Sequence, residues 1–223
     1  MKELSKEVPV SLEKVRAPQY GRVLEDFVEG EVFCHPRGET IDRAFAVEFA
    51  MTFMETNPLY LNTPFSQAHG FKDLVVSPMM VMNVVLSLGV QNDSEKAMAN
   101  LGYYNVVFPR AVYPGDTLRS LTKVLEKKER GEGKPGIVTI RTIGLNQTGE
   151  LVVQYDRKIM VPPAGKKSEP STLAGQPFPE SKEVTPQIPK APGKYPMNLT
   201  GTRTYFEDFN VGGVSQPDIA HRN

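Results

Sequence analysis

The feature that most constrains this chain is the run from Pro78 to Leu88, Pro-Met-Met-Val-Met-Asn-Val-Val-Leu-Ser-Leu. Proline suits the first position of a helix, where a missing N–H costs no intrahelical bond. From Met79 onward, apolar residues fall on nearly every face of that helix, and Gly89 is the expected terminator. A helix apolar all round needs other elements wrapped around it. The downstream sequence supplies them as β-rich runs at Tyr103–Val112, Thr117–Lys127, Ile137–Leu145 and Leu151–Val161. Turn chemistry separates the runs at Pro114-Gly115-Asp116, Gly131 to Gly136 and Asn146 to Gly149. Connections this short predict an antiparallel meander curling around one buried helix, an α+β architecture.

Upstream, Glu31 to Phe33 predicts a short strand, and Thr40 or Asp42 can cap a helix through Ala44–Met54. That helix carries Phe45, Phe49, Met51, Phe53 and Met54, which predicts heavy burial, and Asn57-Pro58 should end it. Composition divides the chain into a tail at 1–19, a folded domain at 20–161 and a Pro-, Lys-, Ser- and Glu-rich linker at 162–199. The final segment, 200–223, returns to folded-type sequence. There, Phe206-Glu207-Asp208-Phe209-Asn210-Val211-Gly212-Gly213-Val214 echoes Leu24-Glu25-Asp26-Phe27-Val28-Glu29-Gly30-Glu31-Val32. The echo predicts a tandem repeat whose second copy is cut short.

Charge excludes some functions. Lys plus Arg and Asp plus Glu each total 26, so no bulk field favours nucleic acid or an anionic membrane. The best candidate for a membrane span, Val75 to Val90, is interrupted by Ser77, Pro78, Asn83, Ser87 and Gly89. The N-terminal residues show no signal-peptide pattern. A lone Cys34 permits no internal disulfide and no cysteine metal cluster, and it predicts a cytoplasmic protein.

Several ordered motifs carry a family resemblance. Thr56-Asn57-Pro58-Leu59-Tyr60-Leu61-Asn62, Ala68-His69-Gly70-Phe71 and Val75-Val76-Ser77-Pro78-Met79-Met80 resemble MaoC-like dehydratases and R-specific enoyl-CoA hydratases. Ala99-Asn100-Leu101-Gly102-Tyr103, Val112-Tyr113-Pro114-Gly115-Asp116-Thr117-Leu118 and Gly144-Leu145-Asn146-Gln147-Thr148-Gly149-Glu150 look most like the mesaconyl-CoA hydratase (β-methylmalyl-CoA dehydratase) branch. The resemblance implies a hot-dog fold, here the first unit of a double hot-dog with a truncated second. It also implies an acyl-CoA substrate, with the CoA thioester the only cofactor-like group and no metal. A single unit leaves a sheet edge open, so a homodimer or higher homo-oligomer is expected.

Hydration of an enoyl thioester needs a base for water, an acid for the α-carbon and donors for the thioester oxygen. The resemblance places the base at an Asp two residues before the motif's Asn, and the partner at a His three residues after it. On this chain those positions are Glu55 and Tyr60, the implied catalytic pair. Asn57, Asn62, Ser77, Met79, Met80, Leu101 and Gly102 are the implied substrate contacts.

Departures from the family pattern are equally specific. A tyrosine, with an ordinary pKa of about 10, is a poor general base at neutral pH. Asn62 replaces a later Asp, and Ser77-Pro78 replaces His-Gly. Proline has no N–H for an oxyanion. Plainer readings stand beside these: Glu55 as a helix-end carboxylate, Tyr60 as a packed aromatic, Ser77 as an N-cap and His69 as a packing histidine rather than an acid. His35 and His221 have no companion motif, and Lys127, Lys128 and Arg130 read as a solvated hairpin end. Three functions remain open: an enoyl-CoA hydratase, a non-catalytic acyl-CoA-binding half, and a hot-dog thioesterase using Glu55.

Overall fold

The computed structural model describes residues 20–165, 178–180 and 187. The expected second repeat at 200–223 and His221 lie outside the described residues. Among these residues five strands form one antiparallel sheet: β1 (Val32–Thr40), β2 (Ala99–Val107), β3 (Thr117–Lys128), β4 (Gly136–Leu145) and β5 (Leu151–Val161). Among the described residues four α-helices accompany it, α1 (Arg43–Thr52), α2 (Pro58–Leu61), α3 (Thr63–Ala68) and α4 (Pro78–Asp93), with a short 3-10 helix at Leu24–Asp26.

Strand order is β1-β3-β4-β5-β2. Strands β3, β4 and β5 form the expected meander, paired from Lys128↔Ile137 to Leu145↔Leu151 with register shifts between Val124 and Glu126 and between Gly144 and Leu145. The turn at Pro114-Gly115-Asp116 is not a hairpin, however. It carries the chain from β2 at one edge to β3, which pairs with β1 near the other. Turn residues specify that the chain reverses, not which strand it meets next. Strand β2 also starts earlier than expected and stops at Val107, while β1 continues to Thr40.

Helix α4 packs against one face of the sheet, touching β1, β3, β4 and β5, as its all-round apolarity requires. Met80 and Val85 are fully buried there with Ile41, Leu118, Val153 and Tyr155. Approach to β4 is close: a Cβ at Gly144 would stand 2.5 Å from a Val85 methyl. This arrangement is the expected hot-dog. Gly89 does not end the helix, which runs to Asp93. Glycine terminates a helix when its left-handed freedom is used; here its missing side chain is used instead, against His35.

Helix α1 departs most from expectation. Asp42 caps it, accepting from the N–H groups of Ala44 (2.8 Å) and Phe45 (3.2 Å). Only Ala46 and Ala50 are buried, while Phe45, Met51, Phe53 and Met54 are exposed. Hydropathy identified an apolar helix but not the covering layer, which the described residues do not supply.

Candidate active site

Helix α1 stops at Thr52, well before Asn57-Pro58. Met54 then takes a left-handed backbone (φ 55°), and the Glu55 N–H turns back to the Ala50 carbonyl at 2.8 Å. The turn carries Glu55 to the start of α4. There Ser77, 1% exposed, donates its hydroxyl to the Glu55 carboxylate. The same oxygen accepts the Met79 N–H at 3.2 Å, so Ser77 is also the N-cap of α4. A carboxylate is thus tied through one hydroxyl to the positive end of the central helix.

The segment before α4 is fixed from two sides. The Val75 N–H bonds the Leu59 carbonyl (3.0 Å), and the Val76 N–H bonds the Val112 carbonyl (2.8 Å). Ser66, fully buried, donates to the Asp73 carbonyl at 2.7 Å. These bonds join α2 and α3 to the α4 entry. Tyr60, on α2, is half-buried near Glu55. Burial, and secondarily the negative charge of Glu55, raise the Tyr60 pKa above its ordinary value. Tyr60 is therefore a protonated donor at neutral pH rather than a base.

The amide side chains of the motif have local duties. Asn57 Oδ1 accepts the Leu59 N–H at 3.0 Å, capping α2. Asn62 Oδ1 accepts the Phe65 N–H at 3.0 Å, capping α3. His69 closes α3, its Nδ1–H donating to the Phe65 carbonyl at 2.8 Å and its ring packed 4.0 Å from that of Phe65. These contacts fit a packing histidine.

Farther along α4, a cleft of about 440 Å³ opens between α1 and the second half of β1, and Glu55, Tyr60 and Ser77 are outside its lining. Phe45, Phe49, Met80, Val84 and Leu88 supply its apolar lining, and Arg37 and Asn83 are among its polar residues. Met80 reaches this cleft while remaining in the core; Met79, half-exposed, is outside its lining. Leu101 and Gly102 sit on edge strand β2. Leu101 is exposed, and the Gly102 N–H turns to Asn100 Oδ1 at 3.4 Å, where the register breaks. At the helix start, Pro78 has no N–H and that of Met79 turns to Ser77, so neither offers a free amide at the mouth of α4.

A second polar cluster escaped the sequence reading. His35, buried on β1, places Nε2 3.0 Å from Thr122 Oγ1, and its Nδ1 accepts from Asn92 Nδ2 at 3.2 Å. Thr122 donates to Asp93 Oδ2 (3.1 Å), and Asp93 Oδ1 accepts Arg157 Nη2 (2.8 Å). Burial drives the His35 pKa down to about 4; the Asp93 carboxylate opposes that shift, while the Arg157 and Arg22 cations add to it. His35 is therefore neutral at pH 7. No local motif announces the cluster, because the bonded pairs His35–Thr122, Asp93–Thr122 and Asp93–Arg157 are separated by 87, 29 and 64 residues in sequence. Among the described residues no group of three or more His, Cys, Asp or Glu is placed to hold a metal, and no helix is long and apolar enough to cross a membrane.

Comparison with known proteins agrees with this architecture. The sequence model of the mesaconyl-CoA hydratase family matches residues 5–218. The beta-methylmalyl-CoA dehydratase of Chloroflexus aurantiacus is 31% identical over 199 residues, covering 86% of this chain and 55% of that protein. A MaoC domain protein from the same organism superposes with a TM-score of 0.61 at 28% identity, covering 88% of this chain and 53% of the other. A double hotdog-fold protein from Mycobacterium tuberculosis superposes with a TM-score of 0.57 at 23% identity, covering 72% and 52%. The chain spans about half the length of the curated relatives it matches. With the match extending over nearly all of its residues, the chain belongs to the mesaconyl-CoA hydratase family.

Proposed function

We propose that this chain serves a hydratase/dehydratase that adds water across the C=C bond of a short or branched enoyl-CoA, mesaconyl-CoA in the first instance. The observation that carries the reading is the Ser77–Glu55 bond at the start of α4, with Tyr60 beside it. Glu55 takes a proton from water as the hydroxyl oxygen bonds the β-carbon. The protonated Tyr60 delivers a proton to the α-carbon, and Glu55 returns its proton to Tyr60 to complete the cycle. Negative charge developing on the thioester oxygen is met by the positive end of the α4 dipole. The acyl group lies in the cleft along α4, and the chemistry needs no cofactor beyond the CoA thioester itself. Asn57 and Asn62 hold the loop that carries Tyr60, while Leu101 and Gly102 act from β2.

The test is direct. Purified chain incubated with mesaconyl-CoA should remove the enoyl absorbance, and the absence of turnover at high protein concentration refutes catalysis by this chain.

One set of observations favours a second reading, a non-catalytic unit that binds acyl-CoA and shapes its pocket. Pro78 offers no amide, and the Asn57 and Asn62 oxygens are already engaged as caps. That reading expects acyl-CoA binding without turnover, with Glu55→Gln and Tyr60→Phe leaving activity of any larger assembly unchanged. We further propose a cytoplasmic homodimer or larger homo-oligomer, since β2 leaves an open sheet edge with Tyr103, Tyr104 and Val106 exposed.

A further inference from the structure

The sheet face opposite α4 carries a row of charged side chains on directly paired residues. Lys123 of β3 faces Arg141 of β4, and Arg141 faces Asp156 of β5. Arg141 holds Asp156 with two nitrogens of its guanidinium, Nε–Oδ1 at 2.7 Å and Nη2–Oδ2 at 2.9 Å. Asn105 continues the row onto β2, donating to Asp156 Oδ2 at 2.7 Å. Asn105 stands in a left-handed backbone (φ 52°) where the β2–β5 register breaks between Tyr104 and Val107. Its side chain is therefore a tie between the irregular edge strand and the regular sheet.

The other end of the row is closed from outside the sheet. Glu180 accepts Lys123 Nζ at 3.1 Å through one oxygen and Arg141 Nη1 at 2.9 Å through the other. Two residues earlier, Phe178 packs on the apolar cluster of Val32, Leu121 and Ile143. Farther on, the Gln187 N–H bonds the Pro109 carbonyl at 2.7 Å, and Arg110 Nη1 bonds Gln187 Oε1 at 3.0 Å. Residues beyond β5 thus touch the sheet at an apolar anchor, at a double ion pair, and at the loop that leaves β2.

We infer that this outer face is an intrachain docking surface whose occupants are Phe178, Glu180 and Gln187, and that their docking is coupled to the conformation of β2 through Glu180, Arg141, Asp156 and Asn105. Charge complementarity selects the occupant: Lys123 and Arg141 present two neighbouring cations, and the single Glu180 carboxylate meets both. Phe178 supplies apolar cover to the patch between β1, β3 and β4. The coupling runs through side chains because each strand from β4 to β2 is held by a side-chain partner on the next. Within the expected linker at 162–199, the described residues therefore do more than span a distance.

Hydrogen–deuterium exchange on the full chain tests this inference. Glu180→Gln removes one charge and keeps the shape. Exchange in peptides covering 178–187 and 99–107 should each quicken by about fivefold, the worth of a partly exposed ion-pair network, while α4 is unchanged. Asn105→Ala should reciprocally quicken exchange at 178–187, because linkage between two sites acts in both directions. Faster exchange at 178–187 with 99–107 unaltered overturns the coupling. Unprotected exchange at Gln187 in the unaltered protein, or no response to Glu180→Gln and Phe178→Ala, overturns the docking.

Discussion

Gly89 lies flat against the imidazole of His35: a Cβ built at position 89 would stand 2.7 Å from Nε2 and 3.1 Å from both neighbouring ring carbons. His35 cannot step aside, because each of its nitrogens is engaged, one with Thr122 and one with Asn92. Alanine is a better helix former than glycine by about 1 kcal/mol, yet a forced contact in a packed core costs about 1–3 kcal/mol. Gly89→Ala should therefore lower stability on balance, by about 1 kcal/mol, despite its higher helix propensity. Thermal unfolding of the variant checks this, and an increased melting temperature would contradict it.

The same histidine makes folding depend on pH. In the native protein burial holds its pKa at about 4, whereas the unfolded chain titrates near the ordinary value of 6.5. Between those values the unfolded state binds the extra proton, so stability falls as pH is lowered from about 6.5 to about 4. The His35 contribution to that loss is about 3 kcal/mol. Urea unfolding at about pH 7.5, above that window, and at about pH 4.5, near its lower end, should show the loss in the parent protein and a smaller one in His35→Gln. A His35 proton resonance that titrates near the ordinary value in the folded state would overturn the assignment.

Asp93 and Arg157 form a buried ion pair at 2.8 Å, with 2% and 5% of their side chains exposed. Removing one member leaves the other charged and desolvated, at a cost of about 3–5 kcal/mol. Asp93→Asn and Arg157→Met should each destabilise strongly in chemical denaturation. The double variant should cost less than the sum of the two, since neither buried charge is then left alone. Strict additivity would show that the pair is not energetically coupled.

At the proposed site, Glu55→Gln should reduce hydration of mesaconyl-CoA by about 10²–10⁴-fold, the usual contribution of a general base. Tyr60→Phe should cut turnover with little change in melting temperature. Ser77→Ala has two expected effects: loss of the α4 cap, about 1 kcal/mol of stability, and reduced turnover from a less constrained Glu55. Ser77→Thr, which keeps the hydroxyl, should recover both. Initial rates and melting curves on the same preparations separate the effects, and full activity in Glu55→Gln would remove the carboxylate from the mechanism.

Much of this protein was legible along the chain. The all-round apolarity of Met79–Leu88 required a wrapped helix, and the β-rich runs with short turns required antiparallel neighbours. Both are consequences of local periodicity and local turn chemistry, which a sequence displays directly. The ordered motifs also singled out Glu55 and Ser77, which the structure bonds to each other, and Asn57 and Asn62, expected as substrate contacts, whose side-chain oxygens cap α2 and α3. Strand order was not legible, because the loop from β2 to β3 says nothing about which edge it serves. The burial of α1 was overestimated, since apolar side chains cannot reveal whether a layer lies over them. Ser77 and Glu55, 22 residues apart, meet only because a left-handed turn at Met54 returns the chain to the start of α4. His35, Asp93 and Arg157, like Arg141, Asp156 and Glu180, converge from separate strands and segments. Local sequence determined the elements and the chemical vocabulary. Only tertiary packing decided which charges share a buried site, because pairing across long separations depends on where the whole sheet closes.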